Sequence, residues 1–101
     1  MLTSKQRAQL RAMANGIDTI LIVGKDGITP NLAAQAADAL RARELVKGRV
    51  LETSVLSARE ACEILAERCR AQPVQVIGSR FVLYKRNERE PKIELVKNKK
   101  K

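Results

Sequence analysis

The run Ile20-Leu21-Ile22-Val23-Gly24-Lys25-Asp26-Gly27-Ile28-Thr29-Pro30 decides how the rest of the chain is read. Its first four residues are β-branched or leucine, apolar on both faces of an extended chain, as a central strand of an α/β layer must be. Thr29 offers a side-chain oxygen as N-cap, and Pro30 falls at the first helical position, where its missing N–H costs nothing. Between strand and helix, Gly24 and Gly27 can adopt φ > 0 and let another backbone come close. The free N–H groups of a helix start favour an anion. A strand, a tight Gly-x-x-Gly loop carrying one lysine, and a cleanly started helix suit contact with a phosphate backbone.

Upstream, Thr3 to Asn15 reads as a first helix. Thr3 and Gln6 have capping-box spacing, Leu10, Met13, Ala14 and Ile17 form an apolar stripe, and Asn15-Gly16 supplies the stop. Lys5, Arg7 and Arg11 have no acid among them before Asp18, so they form either a solvated face or part of a binding surface. Downstream, a second helix runs from about Pro30 to Ala42 with Leu32, Ala36, Ala39 and Leu40 inward; Arg41 and Arg43 suit its C-terminal dipole. Glu44 to Leu51 reads as a strand with Lys47 and Arg49 on one face, and Gly48 there either weakens the strand or marks a close approach.

Ser57 and Glu60 open a third helix to about Ala71, ended by Gln72-Pro73. Val74–Ile77 and Phe81–Tyr84 flank Gly78-Ser79-Arg80, which suits a hairpin turn of type II′ with its register open by one residue. Lys92–Val96 is expected to add a short edge strand, and residues 97–101 to form a disordered basic tail. The fold class is therefore α/β, in the order α-β-α-β-α-β-β, with a four-stranded mixed sheet whose first three strands are joined by helical crossovers.

With 101 residues there is room for one domain, expected over 1–96. Hydrophobic residues make up 45%, many of them alanine, so packing is close rather than bulky. The formal charge is +9, from 20 basic against 11 acidic side chains, with no histidine. Setting aside Lys97, Lys99, Lys100 and Lys101 still leaves sixteen basic side chains against eleven acidic, so the excess is not confined to the end. Such a balance predicts an acidic partner, nucleic acid before an anionic membrane.

Cys62 and Cys69 are seven apart, roughly 10 Å of helix rise, too far for a disulfide within one helix and on one stripe with Leu65. They read as core residues in a reducing compartment. Neither a signal-peptide core nor a membrane span is visible, so a cytoplasmic protein is expected.

Catalysis is not indicated: no histidine, no paired carboxylates in an evident role, no nucleophile beside a base. The loop lacks the spacing of a triphosphate-binding loop and the third glycine of a dinucleotide fingerprint. Phe81 and Tyr84 are the only aromatics, too few for the stacking platforms of RRM or OB modules. What remains is a backbone grip like the Gly-x-x-Gly clamp of KH domains, here between strand and helix.

Five stretches carry a more specific resemblance: Leu2-Thr3-Ser4-Lys5-Gln6-Arg7; Val23-Gly24-Lys25-Asp26-Gly27-Ile28-Thr29; Ala39-Leu40 leading to Glu44-Leu45-Val46-Lys47; Val74-Gln75-Val76-Ile77-Gly78; and Val82-Leu83-Tyr84-Lys85. In this order they resemble the bacterial stand-alone CRM-domain proteins, the YhbY-like family of ribosome-associated RNA-binding proteins. The resemblance implies a fold similar to the C-terminal domain of translation initiation factor three. It also implies association with precursors of the large ribosomal subunit and a role in ribosome assembly; related domains in plant organelles serve in intron splicing. Carried over by position, it marks Gly24, Lys25, Asp26, Gly27 and Lys47, to which the charge pattern adds Arg49, Lys5, Arg7, Arg11 and Lys85 as RNA-binding candidates. The chain departs from the family pattern at Asn15, where histidine is common, at Gly48, where an apolar residue is usual, and at Asp26, which puts a negative charge on the loop tip. A monomer with ribosomal RNA as partner, no cofactor or metal, no small-molecule substrate and no membrane is the expectation. The competing one is a small module that docks on a ribosomal protein or assembly factor.

Overall fold

The computed structural model describes residues 2–96; the expected basic tail at 97–101 lies outside them. Seven elements follow one another: α1 (Ser4–Ala14), β1 (Thr19–Val23), α2 (Pro30–Arg43), β2 (Leu45–Val50), α3 (Ala58–Cys69), β3 (Gln72–Ile77) and β4 (Arg80–Tyr84). This is the order read from the sequence. The strands form one mixed sheet, β1-β2-β4-β3, in which β1 and β2 are parallel and β4 is antiparallel to both its neighbours. β1, β2 and β3 thus run the same way, with α2 and α3 as crossovers, and the β3–β4 hairpin folds β4 back into the gap.

Local chemistry fixes the helix starts. Thr3 with Gln6 and Ser57 with Glu60 each form a reciprocal capping box, and Thr29 Oγ1 accepts from the Leu32 N–H one residue before Pro30. The ends differ from expectation. Asn15 keeps helical φ and α1 closes by tightening, the Gly16 N–H reaching Met13 O at 3.1 Å, rather than by a left-handed cap. α3 stops at Arg70, in the left-handed region with φ 56, and the Ala71 N–H returns to Ala66 O at 2.8 Å. Pro73 is not the stop; it lies inside β3, which as an edge strand with an irregular register at Pro73/Gln75 can spare its N–H.

The sheet separates two cores. Leu21, Val23, Val46, Phe81 and Leu83 pack under α2 and α3 with Leu32, Ala36, Leu40, Cys62 and Leu65. Leu45, Val74, Val82 and Tyr84 pack under α1 through Leu10 and Ala14. Cys62 and Cys69 are buried as expected, and burial pushes the Cys62 thiol up to about 11, with Glu63 adding to the shift and Arg59 opposing it. Both thiols stay protonated near neutral pH, since burial raises Cys69 as well.

Four further expectations change. β1 is an edge strand, not a central one: Leu21 and Val23 are buried, but Ile22 is 41% exposed on the other face. Met13 is 40% exposed rather than part of the inner stripe of α1. Lys92–Val96 forms no strand; it crosses beside α1 as a strap, with Ile93 and Leu95 against the second core and Gln9 bonded to Glu94 O and the Val96 N–H. The strap is anchored by Glu44, which is no strand residue but the fully buried C-cap of α2. Its carboxylate accepts from the N–H groups of Asn87, Lys92 and Ile93 at 2.6, 2.9 and 2.7 Å.

Candidate nucleic-acid interface

The Gly-x-x-Gly loop is a four-residue turn closed by the Gly27 N–H donating to Gly24 O at 3.1 Å. Its two central residues, Lys25 and Asp26, are exposed. Gly27 is buried with φ 68, and a Cβ there would lie 3.5 Å from Leu56 Cδ1. Gly24 needs no positive φ, and a Cβ on it would meet only Leu51, at 3.8 Å. Gly27 therefore shapes the loop, while Gly24 is half-buried with ordinary room for a side chain. Lys25 is held at the tip of a short turn fixed at both ends, by β1 and by the capped start of α2.

Arg49 and Lys47 lie on the same face of β2, Arg49 exposed and Lys47 half-buried beside Met13, Ile17, Ile20 and Ile93. Among the described residues the ion pairs are Arg41–Asp38 and Arg86–Glu88, so Lys5, Arg11, Lys25, Lys47 and Arg49 have no carboxylate within bridging distance there. Arg7 is engaged: its guanidinium donates to Pro73 O at 2.6 Å and ties α1 to β3. Lys85 follows β4 beyond Tyr84, which is registered with Leu45, whereas Arg49 is registered with Arg80 at the other end. Four residue steps along β4 separate those ends by about 14 Å. The candidates thus divide into one group at the loop end (Gly24–Gly27 and Arg49, with Lys47 behind) and another at the far end (Lys85 and Arg7).

The turn geometry, the α-β-α-β-α-β-β order and the unpaired cations coincide with a match of residues 2–85 to the CRS1 / YhbY (CRM) domain. The chain belongs to the CRS1/YhbY (CRM) domain family. It is 42% identical over 95 residues to "Probable RNA-binding protein YqeI" of Bacillus subtilis, covering 94% of this chain and 99% of that one. A Haemophilus influenzae relative named "RNA-binding protein" is 30% identical over 94 residues, covering 93% and 94% of the two chains. The solution structure of the hypothetical protein SAV1595 from Staphylococcus aureus superimposes with a TM-score of 0.79 at 43% identity, over 95% of this chain and all of the other.

Two residues of this CRM domain escaped the sequence reading. The hairpin register, open by one residue in the sequence, closes with Gly78-Ser79 as the turn, and Arg80 opens β4 opposite Arg49. The alternation Arg80, Val82, Tyr84 puts it on the α1 face, a signal present in the sequence; the pairing with Arg49 is not local and leaves no such trace. Glu44 gave no signal at all, because its partners are backbone groups more than forty residues away.

Proposed function

We propose that this CRM domain is a non-enzymatic RNA-binding protein that associates with precursors of the large ribosomal subunit in the cytoplasm and assists their assembly. The observation that carries this reading is the exposed Lys25, without a carboxylate partner among the described residues, at the tip of a tight turn between β1 and the capped start of α2. Lys25 neutralises a phosphate, Gly24 lets the RNA backbone approach, and Arg49 with Lys47 extends the contact along the sheet. The names of the relatives, both given as RNA-binding, support the same partner class. Lys5 and Arg11 are flanking contacts, Lys85 belongs to a separate basic area, and the lysines at 97–101 add non-specific attraction. Selectivity follows RNA shape rather than sequence.

The test is sucrose-gradient fractionation of cell lysate at low salt. A peak at or just below the large-subunit position is expected, and it is lost on charge reversal at Lys25 and Lys47. Signal confined to the top of the gradient overturns the ribosomal role. Retention of the charge-reversed protein on particles favours docking through a protein surface instead.

A further inference from the structure

One residue from each of the four strands stands in a single transverse row. Ile22 is registered with Arg49, Arg49 with Arg80, and Arg80 with Ile77, so all four share a face. On that face α1 and the strap bury Leu45, Val74, Val82 and Tyr84 and leave Lys47 half-buried. Beyond them the row is open: Ile22 is 41% and Ile77 60% exposed, and both arginines are exposed between them. Arg49 also lines a shallow cleft of about 670 Å³ with Val50, Leu51, Glu52 and Ser79, continuing the open surface to the hairpin turn.

The row is unfavourable for the isolated fold. Like charges directly opposite on neighbouring strands, with Cα atoms about 4.5–5.5 Å apart, repel one another. Neither arginine has a carboxylate within bridging distance among the described residues. A single anion between them removes the repulsion and engages two guanidinium forks at once. The isoleucines on either side add apolar contact that an inorganic ion does not use but a sugar or base does.

We infer that a single-stranded segment of RNA crosses the sheet along this row, with Arg49 and Arg80 sharing one backbone phosphate and Ile22 and Ile77 packing on the nucleosides either side. The inference rests on the RNA-binding reading above and adds Arg80, Ile22 and Ile77 to it. The strand is single because only unstacked nucleotides can lay a base or ribose on a sheet, and a guanidinium plane offers a further surface for stacking. RNA is favoured over an acidic protein segment by position. Ile22 lies two residues before Gly24, so the row runs into the loop that carries Lys25.

The test is fluorescence anisotropy with a labelled ribosomal RNA hairpin, with and without a single-stranded extension, across a potassium chloride series. The wild-type protein is expected to bind the extended hairpin more tightly. Arg80→Gln and Arg49→Gln each weaken that binding roughly tenfold, as loss of one charge-assisted contact does. The double variant loses little more than either alone, and its salt slope falls by about 0.7–0.9, the value of one phosphate. Joint Ile22→Thr and Ile77→Thr substitution weakens binding with the slope unchanged. Thermal unfolding at or above the wild-type temperature for the arginine variants, whose mutual repulsion is relieved, and close to it for the isoleucine pair shows that folding is intact.

If Arg80→Gln binds like the wild type while Lys25→Ala is impaired, the row is not an RNA site although the protein binds RNA. No binding by the wild type removes the RNA reading and the row with it. If Arg80→Gln keeps RNA affinity but loses a protein that co-purifies with the wild type, the row is a protein interface and the inference fails.

Discussion

The ring of Phe81 on β4 lies over Gly48 on β2, its registered partner, so closely that a Cβ at position 48 would sit 2.7 Å from Cε1 and nearer still to Cζ. Leu21 Cβ closes the space from the other neighbouring strand, at 3.0 Å. The space that a side chain at position 48 would take is therefore filled by the aromatic ring of the next strand. The glycine is the close approach that its place in a strand suggested.

Gly48→Val is expected to destabilise the fold by about 1–3 kcal/mol through overpacking, because the ring is fully enclosed and can move only by displacing its neighbours. Urea unfolding measures this. Combining it with Phe81→Leu should cost less than the sum of the two single changes, by at least about 0.5 kcal/mol, as residues in contact do. Additive losses would mean that the ring does not occupy the space of the missing side chain.

What the sequence shows and hides follows from range. Capping boxes at Thr3 and Ser57, the Thr29-Pro30 helix start and the Gly78-Ser79 turn are local devices, and each stands where its residues indicate. Strand order is not local. The apolar run Ile20–Val23 looks central, yet β1 is at the edge, and Ile22 is left facing outward beside Arg49. For the same reason Lys25 is evident as a loop cation, whereas Arg80 becomes a candidate only when β4 is seen to insert between β2 and β3. Lys92–Val96 has strand composition, but its N–H groups at Lys92 and Ile93 are taken by a carboxylate rather than by a neighbouring strand.

Glu44→Ala should release the strap. Three N–H groups lose a charged acceptor, and since they can turn to water once the strap lifts, the cost is bounded at about 2–3 kcal/mol. Hydrogen exchange is the direct readout: the amides of Asn87, Lys92 and Ile93 accelerate while those of α3 at Cys62 and Leu65 change only with global stability. Uniform acceleration throughout would show that Glu44 supports the whole fold rather than the strap.

Stability should decline on the alkaline side in a way that depends on Cys62. Its thiol is raised from 9.0 to about 11 by burial, then by Glu63. Between those values the unfolded chain gives up the proton and the folded chain keeps it, so unfolding releases a proton and becomes easier as pH rises. Below pH 9 the thiol contributes no pH dependence. The slope approaches about 1.4 kcal/mol per pH unit inside the window. Tyr84, raised first by burial and then by Glu44, acts in the same direction at higher pH. Urea unfolding from neutral to alkaline pH should show a steeper fall for the wild type than for Cys62→Ala. Parallel curves would rule out a buried protonated thiol at this position.

The two glycines of the loop should separate folding from binding. Gly27→Ala places a side chain at φ 68 and against Leu56, so stability falls by about 1–2 kcal/mol and any loss of RNA affinity is confounded. Gly24→Ala meets only Leu51 at an ordinary contact distance, without positive φ, so stability should change by less than about 0.5 kcal/mol. If an RNA backbone lies against this turn, the added methyl holds it off, and affinity should fall several-fold while the salt slope, set by Lys25, persists. Affinity unchanged in Gly24→Ala but reduced in Lys25→Ala would keep the lysine as a phosphate contact. It would also show that the RNA touches the tip of the turn without closing on its backbone.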